Sequence, residues 1–318
     1  MVSRAGVVID PYELNDHWVR RIMDGNICLV GLHPDPKNST PEGILAWLRD
    51  AETSRLLGVL TSNGIQIEWE VHALSWLLPR KLFRTSPHWF RMNEAGERTQ
   101  DHNLCCSSEE ALETIRANAA MYAALLKPTT HRYHFWLDDV SNCRCHCPRC
   151  RSLSAADQAL KVYNAIAQGV RRTDPEATQC YLAYHDTNDV PQTVAPDSGI
   201  FLEYAPFERN HRMGLDDPMC DRNTKETKNL PELLRFFGTA KAQVLDYWLD
   251  NSLFSGWVKP PREFHMERDV FRRDVQYYRQ LGFSCITTFA CYLGKEYTDL
   301  YPETNDPVYF GRYLSENS

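Results

Sequence analysis

No stretch of this chain is apolar for the roughly 18 residues needed to cross a bilayer. Its opening, MVSRAGVVIDPYELND, has neither the apolar core nor the small-residue cleavage site of a secretion signal. These absences lead us to expect a cytoplasmic protein with no membrane partner, a secreted or periplasmic one being the alternative if a leader has been removed. Positive charge is also in short supply: 35 Lys and Arg stand against 42 Asp and Glu, a net charge of -7. With no dense basic stripe to meet a polyanion, nucleic acid is not an expected partner. After the first apolar run, GLHPDPKN (31–38) offers prolines where a dinucleotide site needs close-approach glycines, and no phosphate-cradling loop of the Walker type is present. Internal repeats and low-complexity linkers are missing too. A chain of 318 residues, 43% hydrophobic, is therefore read as one domain over 1–318, with its core at about 27–290 and a C-terminal tail over 300–318.

Cysteine, by contrast, is plentiful. Seven of the eleven (Cys28, Cys105, Cys106, Cys180, Cys220, Cys285 and Cys291) are scattered, mostly in apolar settings that suit a small buried hydrophobe. The other four, Cys143, Cys145, Cys147 and Cys150, fall within eight residues. The odd total argues against a fully paired set, and the composition is not that of a small disulfide scaffold.

The remaining pattern is an alternation of strands and helices. Strands are expected at 27–32, 64–71, 104–106, 132–137, 180–184, 199–204, 242–249 and 283–289. Helices are expected from Pro41 to a stop at Gly58, from Ser107 or Ser108 to about Leu126, from Ser154 to Val170, from Pro231 to Phe237 and from about Pro261 to Arg279. Eight strands alternating with helices is the rhythm of an α/β fold, a (β/α)8 TIM barrel with extended βα loops, and the missing glycine-rich loop weakens its doubly wound competitor.

A barrel of this kind carries its site at the C-terminal ends of the strands. Those places hold His33; Glu68, Glu70 and His72; Asp138 and Asp139; Tyr184, His185 and Asp186; Glu203 and Tyr204; and Tyr247, Trp248, Asp250 and Asn251. Aromatic faces stack on sugar C–H faces while carboxylates bind hydroxyls and move protons, so the mixture points to a carbohydrate substrate. Asp138–Asp139 is the sharpest feature, because an apolar strand delivers two adjacent carboxylates that diverge in direction. Asp138, Asp139 and Glu203 are the catalytic candidates and the others the substrate-binding ones. A strand-end Asx turn is the competing reading of the pair, a buried salt bridge that of Glu203, and loop turns that of His185–Asp186. His33, His185 and His211 leave room for a metal-dependent hydrolase, and the aromatics alone would suit a carbohydrate-binding barrel without turnover. The stretch 75–103, aromatic and basic but also acidic, is read as a lid or wall after the second strand rather than a nucleic-acid surface.

CRCHCPRC (143–150) has thiols at zinc-binding spacing, with Cys145 or Cys147 and Cys150 as a C-x-x-C half and Cys143 or His146 nearby. A structural zinc on Cys143, Cys145, Cys147 and Cys150, disulfides, or unbonded thiols all remain open, since no second pair elsewhere completes the set. Four soft ligands leave no open position, so no cofactor is expected for catalysis.

His72, Trp76-Leu77-Leu78-Pro79, Phe83, Pro87-His88-Trp89-Phe90, Asn103-Leu104-Cys105, Asp138–Asp139 with Cys145, Cys147 and Cys150, and the later Arg209, His211 and Asp246-Tyr247 occur in an order that resembles a bacterial domain family of little-known function. That family is similar to the catalytic barrels of alpha-glucuronidases and beta-N-acetylhexosaminidases, and the resemblance spans about 27–290. It implies a glycoside hydrolase. In the hexosaminidase and O-linked N-acetylglucosaminidase case, Asp138 would polarise the substrate acetamido group, Asp139 would be the acid/base, and Tyr184, Tyr204, Tyr247 or Trp248 would form the acetamido pocket. The hexosaminidase pair is normally Asp-Glu, so Asp-Asp leans to the N-acetylglucosaminidase type. The alpha-glucuronidase case implies inversion, with Glu203 or Asp250 activating water and carboxyl groups about 6.5 to 9.5 Å apart.

Overall fold

The computed structural model describes residues 4–35, 40–302 and 305–316. Part of the proline-bearing loop, 36–39, and residues 303–304 and 317–318 of the expected tail lie outside the described residues. Eight strands follow one another around a closed barrel in chain order: β1 (Arg4–Ile9), β2 (Leu29–Leu32), β3 (Gln66–His72), β4 (Arg132–Trp136), β5 (Thr178–Ala183), β6 (Ile200–Tyr204), β7 (Gln243–Asp246) and β8 (Cys285–Phe289). This is the expected (β/α)8 architecture. Helix α1 (Asp16–Asp24) follows β1; α2 (Pro41–Arg49) and α3 (Ala51–Ser62) follow β2; α4 (Leu74–Leu77) and α5 (Glu109–Leu125) follow β3. Helix α6 (Ala155–Val170) follows β4, α7 (Asp221–Thr227) and α8 (Leu230–Phe237) follow β6, α9 (Asn251–Phe254) and α10 (Arg268–Gln280) follow β7, and α11 (Lys295–Leu300) and α12 (Asp306–Glu316) follow β8.

The strand count is as expected, but two of its members are not. RAGVVI at 4–9 is β1, a continuous apolar run buried along most of its length, as a strand covered on both faces must be. LCC at 104–106 forms no strand: the segment is buried and leads into the N-cap Ser108, whose hydroxyl accepts from the Ala111 N–H of α5. The single helix expected from Pro41 is broken at Asp50, which takes an extended conformation (ψ 138°), ends α2 and caps α3 by accepting from the Thr53 N–H at 2.9 Å. Helix α3 then runs through Gly58, the expected stop. Helix α10 begins at Arg268 rather than near Pro261.

The chain divides into two compact units, Met1–Glu70 with Tyr204–Lys228 and Thr239–Ser318, and Val71–Glu203 with Asn229–Gly238. In the first unit β1 pairs in parallel with β2 and β8, bringing Gly6 level with Leu29 and Thr287. A Cβ on Gly6 would stand 2.7 Å from Thr287 Cγ2, so any other residue here forces its neighbours to shift. The interior of this unit also holds a charged network: Arg209, with no exposed side-chain surface, pairs with Asp246 at 2.9 Å and Asp274 at 2.7 Å. In the second unit α5 and α6 pack beside β4 and β5. Ser154 caps α6, and Asp157 Oδ1 accepts the N–H groups of Gln192, Thr193 and Val194, pinning the long loop after β5.

Candidate functional site

Strand β4 sets the second unit's site. On one face His134 and Trp136, two residues apart, both donate to Glu203 Oε2, from Nδ1 at 2.9 Å and Nε1 at 2.8 Å. Beyond the strand's C-terminal end, Asp138 and Asp139 turn to different partners. Asp138 Oδ2 accepts the Asn103 backbone N–H at 2.5 Å and forms an ion pair with Arg80, whose other amino group donates to Asn103 O at 3.0 Å. Asp139 is exposed and accepts the Tyr184 phenol on Oδ1 at 3.0 Å. One carboxylate is thus held by a guanidinium and an amide, its neighbour by a phenol.

A pocket opens beside Asp138. Leu137, Ala155, Ala159, Val162 and Leu182 give it apolar walls, and His72, Asn103, Arg144, Tyr184 and Asp186 supply polar groups. His72 Nδ1 is 2.6 Å from Leu137 O, and Asp186 Oδ2 accepts the Asn142 N–H at 2.9 Å. His185, in a left-handed conformation (φ 51°), packs its ring against Tyr184 at 3.9 Å between centroids. Asn103 is also left-handed (φ 50°); its Nδ2 donates to Cys143 O at 3.1 Å, and its buried Oδ1 has no hydrogen-bond partner among the described residues.

Beside this pocket four free, buried thiols, Cys105, Cys145, Cys147 and Cys150, have their sulfurs all within 4.8 Å of one another. Hydrogen bonds from Cys145 and Cys150, with help from Arg98, hold the Cys105 thiol far below its ordinary range, while contact with Cys105, together with burial, pushes Cys145 and Cys150 up. The group is close enough to hold a metal ion. Cys143 is not in it, which corrects the expected ligand set: its place is taken by Cys105, from the segment ahead of α5.

The other expected residues lie in the first unit, Glu203 excepted. His33 Nδ1 is 2.8 Å from Glu70 O and its ring meets Phe289 edge-on. Glu68 and Glu70 are fully buried on β3, and a Cβ on Gly31 would collide with the Glu70 carboxylate. Tyr247 is stacked on Phe289 at 5.4 Å. Asp250 caps α9 through Ser252, and burial raises its carboxyl to about 6. His211, beside Tyr247, is lowered to about 4 by burial.

Four expectations need correction. Glu203 has no exposed surface and accepts from His134 and Trp136. Tyr204 is buried with its hydroxyl on Glu226 O at 3.2 Å, and Trp248 is buried with its indole N–H on Asp274 at 2.9 Å. Asn251 spends its amide on Arg262 O and accepts from the Ser255 hydroxyl. These side chains hold the scaffold.

Arg80, Asn103 and Arg144 were not among the expected site residues. Arg80 lies in the basic stretch read as a wall, and a cationic partner for Asp138 was the signal available there. No helix among the described residues is long and apolar enough to cross a membrane.

Among solved structures, the chain is similar to a catalytic mutant of Gan42B, a GH42 beta-galactosidase from G. stearothermophilus (TM-score 0.58, 12% identity, covering 100% of this chain and 57% of that one). It is also similar to the beta-galactosidase from the psychrophilic Marinomonas ef1 (TM-score 0.55, 12% identity, 98% and 59%). At such identities the likeness is one of fold alone, and it does not point to alpha-glucuronidases or hexosaminidases. The chain spans under three fifths of these enzymes' length. No curated protein matches it. A family model described as "Domain of unknown function (DUF4838)" matches residues 47–298.

Proposed function

The chain belongs to the family of domains of unknown function DUF4838, and from that premise we propose that it is a glycoside hydrolase whose reacting carboxylates are Asp138 and Asp139. The observation that carries this reading is the division between the two. Asp138 is kept in place by Arg80 and the Asn103 amide, whereas Asp139 is exposed and touched by a phenol that can follow a change in its protonation.

The substrate favoured is an N-acetylhexosaminide. Apolar walls suit an acetamido methyl, and the unpartnered Asn103 Oδ1 calls for a donor such as an amide or hydroxyl hydrogen. In this scheme Asp138 accepts the acetamido N–H and sharpens its carbonyl oxygen, which attacks the anomeric carbon as the glycosidic bond breaks. The leaving oxygen takes its proton from Asp139. Water then adds to the anomeric carbon, gives a proton back to Asp139 and frees the acetamido group, so configuration is retained. The chemistry needs no cofactor.

A glycuronide is the second reading, favoured by the Arg144 guanidinium on the pocket wall. The test is a panel of aryl N-acetylhexosaminides, glucuronides and neutral glycosides, with the first-formed anomer followed by NMR. Retained hexosamine is the expected product. Inverted glucuronate would favour the second reading, and calorimetric binding of sugar with no product from any substrate would overturn hydrolysis altogether.

A further inference from the structure

The thiol cluster beside the pocket is not used by that chemistry. We propose that Cys105, Cys145, Cys147 and Cys150 form a tetrahedral zinc site that holds the pocket wall carrying Asn103. Zinc–sulfur bonds of about 2.3 Å place the sulfurs of a tetrahedral site about 3.8 Å apart. Here Cys105 Sγ stands 3.6 Å from Cys147 Sγ and 3.7 Å from Cys150 Sγ, already near the edge lengths of such a site. Cys105 is equally near two sulfurs and cannot form a disulfide with both. Cys106 Sγ is 3.6 Å from Cys150 Sγ but is not within the four-sulfur group.

The surroundings suit thiolates. Cys147-Pro148-Arg149-Cys150 forms a tight turn in which the Cys150 and Arg151 N–H groups both donate to Cys147 O at 2.9 Å. Cys145 Sγ accepts the Met92 N–H at 3.3 Å and an Arg98 amino group at 3.8 Å, and Ser107 Oγ lies 3.1 Å from Cys150 Sγ. Gln158 of α6 fixes the loop from beneath, accepting the Cys145 N–H at 2.9 Å and donating to the carbonyls of Cys145 and Cys150 at 3.0 Å each. Four buried thiols gathered within 4.8 Å suit zinc, whose structural sites take four such ligands and leave no open position, so the ion is structural. On binding, four thiols release four protons and the zinc dication becomes a tetrathiolate complex of charge minus two, beside the Arg98 guanidinium.

The consequence reaches Asp138. Cys105 lies two residues after Asn103, and Cys143, which accepts from the Asn103 side chain, lies two before Cys145. The ion therefore clamps both ends of the Asn103–Cys143 contact, and with it the amide that holds Asp138.

The experiment is metal analysis of the full chain with its Cys105→Ser, Cys147→Ser and Cys143→Ser variants. About one zinc per chain is expected in the wild type and in Cys143→Ser, falling at least tenfold in the other two. Because a serine variant can fail to fold, wild-type protein is also exchanged with cobalt, which should give intense visible bands and thiolate-to-cobalt charge transfer. The proposal is overturned by wild-type protein that takes up no zinc from a buffered zinc solution, by iron in its place, by zinc retained in folded Cys147→Ser, or by zinc lost from folded Cys143→Ser. None of these readouts needs turnover, so failure here is distinct from failure of the glycosidase reading.

Discussion

Replacing Arg209 by Met tests whether the charged centre of the first unit is a structural element. The guanidinium is fully buried, pairs with Asp246 at 2.9 Å and Asp274 at 2.7 Å, and donates to Met213 O at 2.8 Å. The two carboxylates are further held by the Tyr278 hydroxyl on Asp246 and by the Trp248 indole and Leu215 N–H on Asp274. With Arg209 the three groups carry a net charge of minus one; without it, two buried carboxylates face each other. Removing one partner of a buried pair costs about 3–5 kcal/mol, a large part of the 5–15 kcal/mol of a typical domain. The loss should depend on pH. Burial already raises Asp274 to about 6 from 3.8 while Arg209 pulls it down, so removing Arg209 raises it further. A carboxyl raised in the folded state binds its proton more tightly there than in the unfolded chain. Its cost is therefore absent below the unfolded value, grows as pH rises from there to the folded value, and is complete above it. Urea unfolding should show the Arg209→Met deficit at full size at pH 8 and reduced at pH 5. Adding Asp246→Asn and Asp274→Asn should recover part of it. A deficit under about 1 kcal/mol at pH 8, or one equally large at pH 5, would refute the reasoning.

Three further outcomes follow from single contacts. Asp250→Asn keeps a cap for α9 but removes a carboxyl raised from 3.8 to about 6 by burial, so urea midpoints should show a gain of about 1–3 kcal/mol at pH 8 that vanishes near pH 4. Gly6→Ala places a Cβ 2.7 Å from Thr287 Cγ2 inside the barrel and should cost about 1–3 kcal/mol in thermal or urea unfolding. Tyr184→Phe removes the phenol from Asp139 and should lower kcat by roughly tenfold to a hundredfold with KM little changed, as for loss of a hydrogen bond to a charged group.

The barrel was legible in the sequence because period-two and apolar runs survive at most strands. Its first member was hidden: RAGVVI has no alternation, since both faces of β1 are covered, and it sits where a reader looks for a leader. Leu104-Cys105-Cys106 has a strand's composition, yet its burial serves a sulfur cluster rather than a ladder. At the site, the Asp138–Asp139 divergence could be read from strand geometry alone. Arg80 and Asn103 could not, because they reach Asp138 across 58 and 35 residues of chain. Polar residues on or just after strands were the weakest guide: Glu203, Trp248 and Asn251 look like site chemistry in a linear reading and turn out to bind interior partners. Arg209, His211 and Asp246, part of the family resemblance, fall in or beside the buried charged network.

The most direct test of the glycosidase reading is the leaving-group dependence of Asp139→Asn. Aryl N-acetylhexosaminides with poor and with strongly activated leaving groups are compared in wild-type and variant protein. Loss of a general acid should lower kcat by about a hundredfold to ten-thousandfold on the poor leaving group. It should be far smaller on the activated one, which departs without a proton. Equal turnover of the poor leaving group by both proteins would contradict the role given to Asp139.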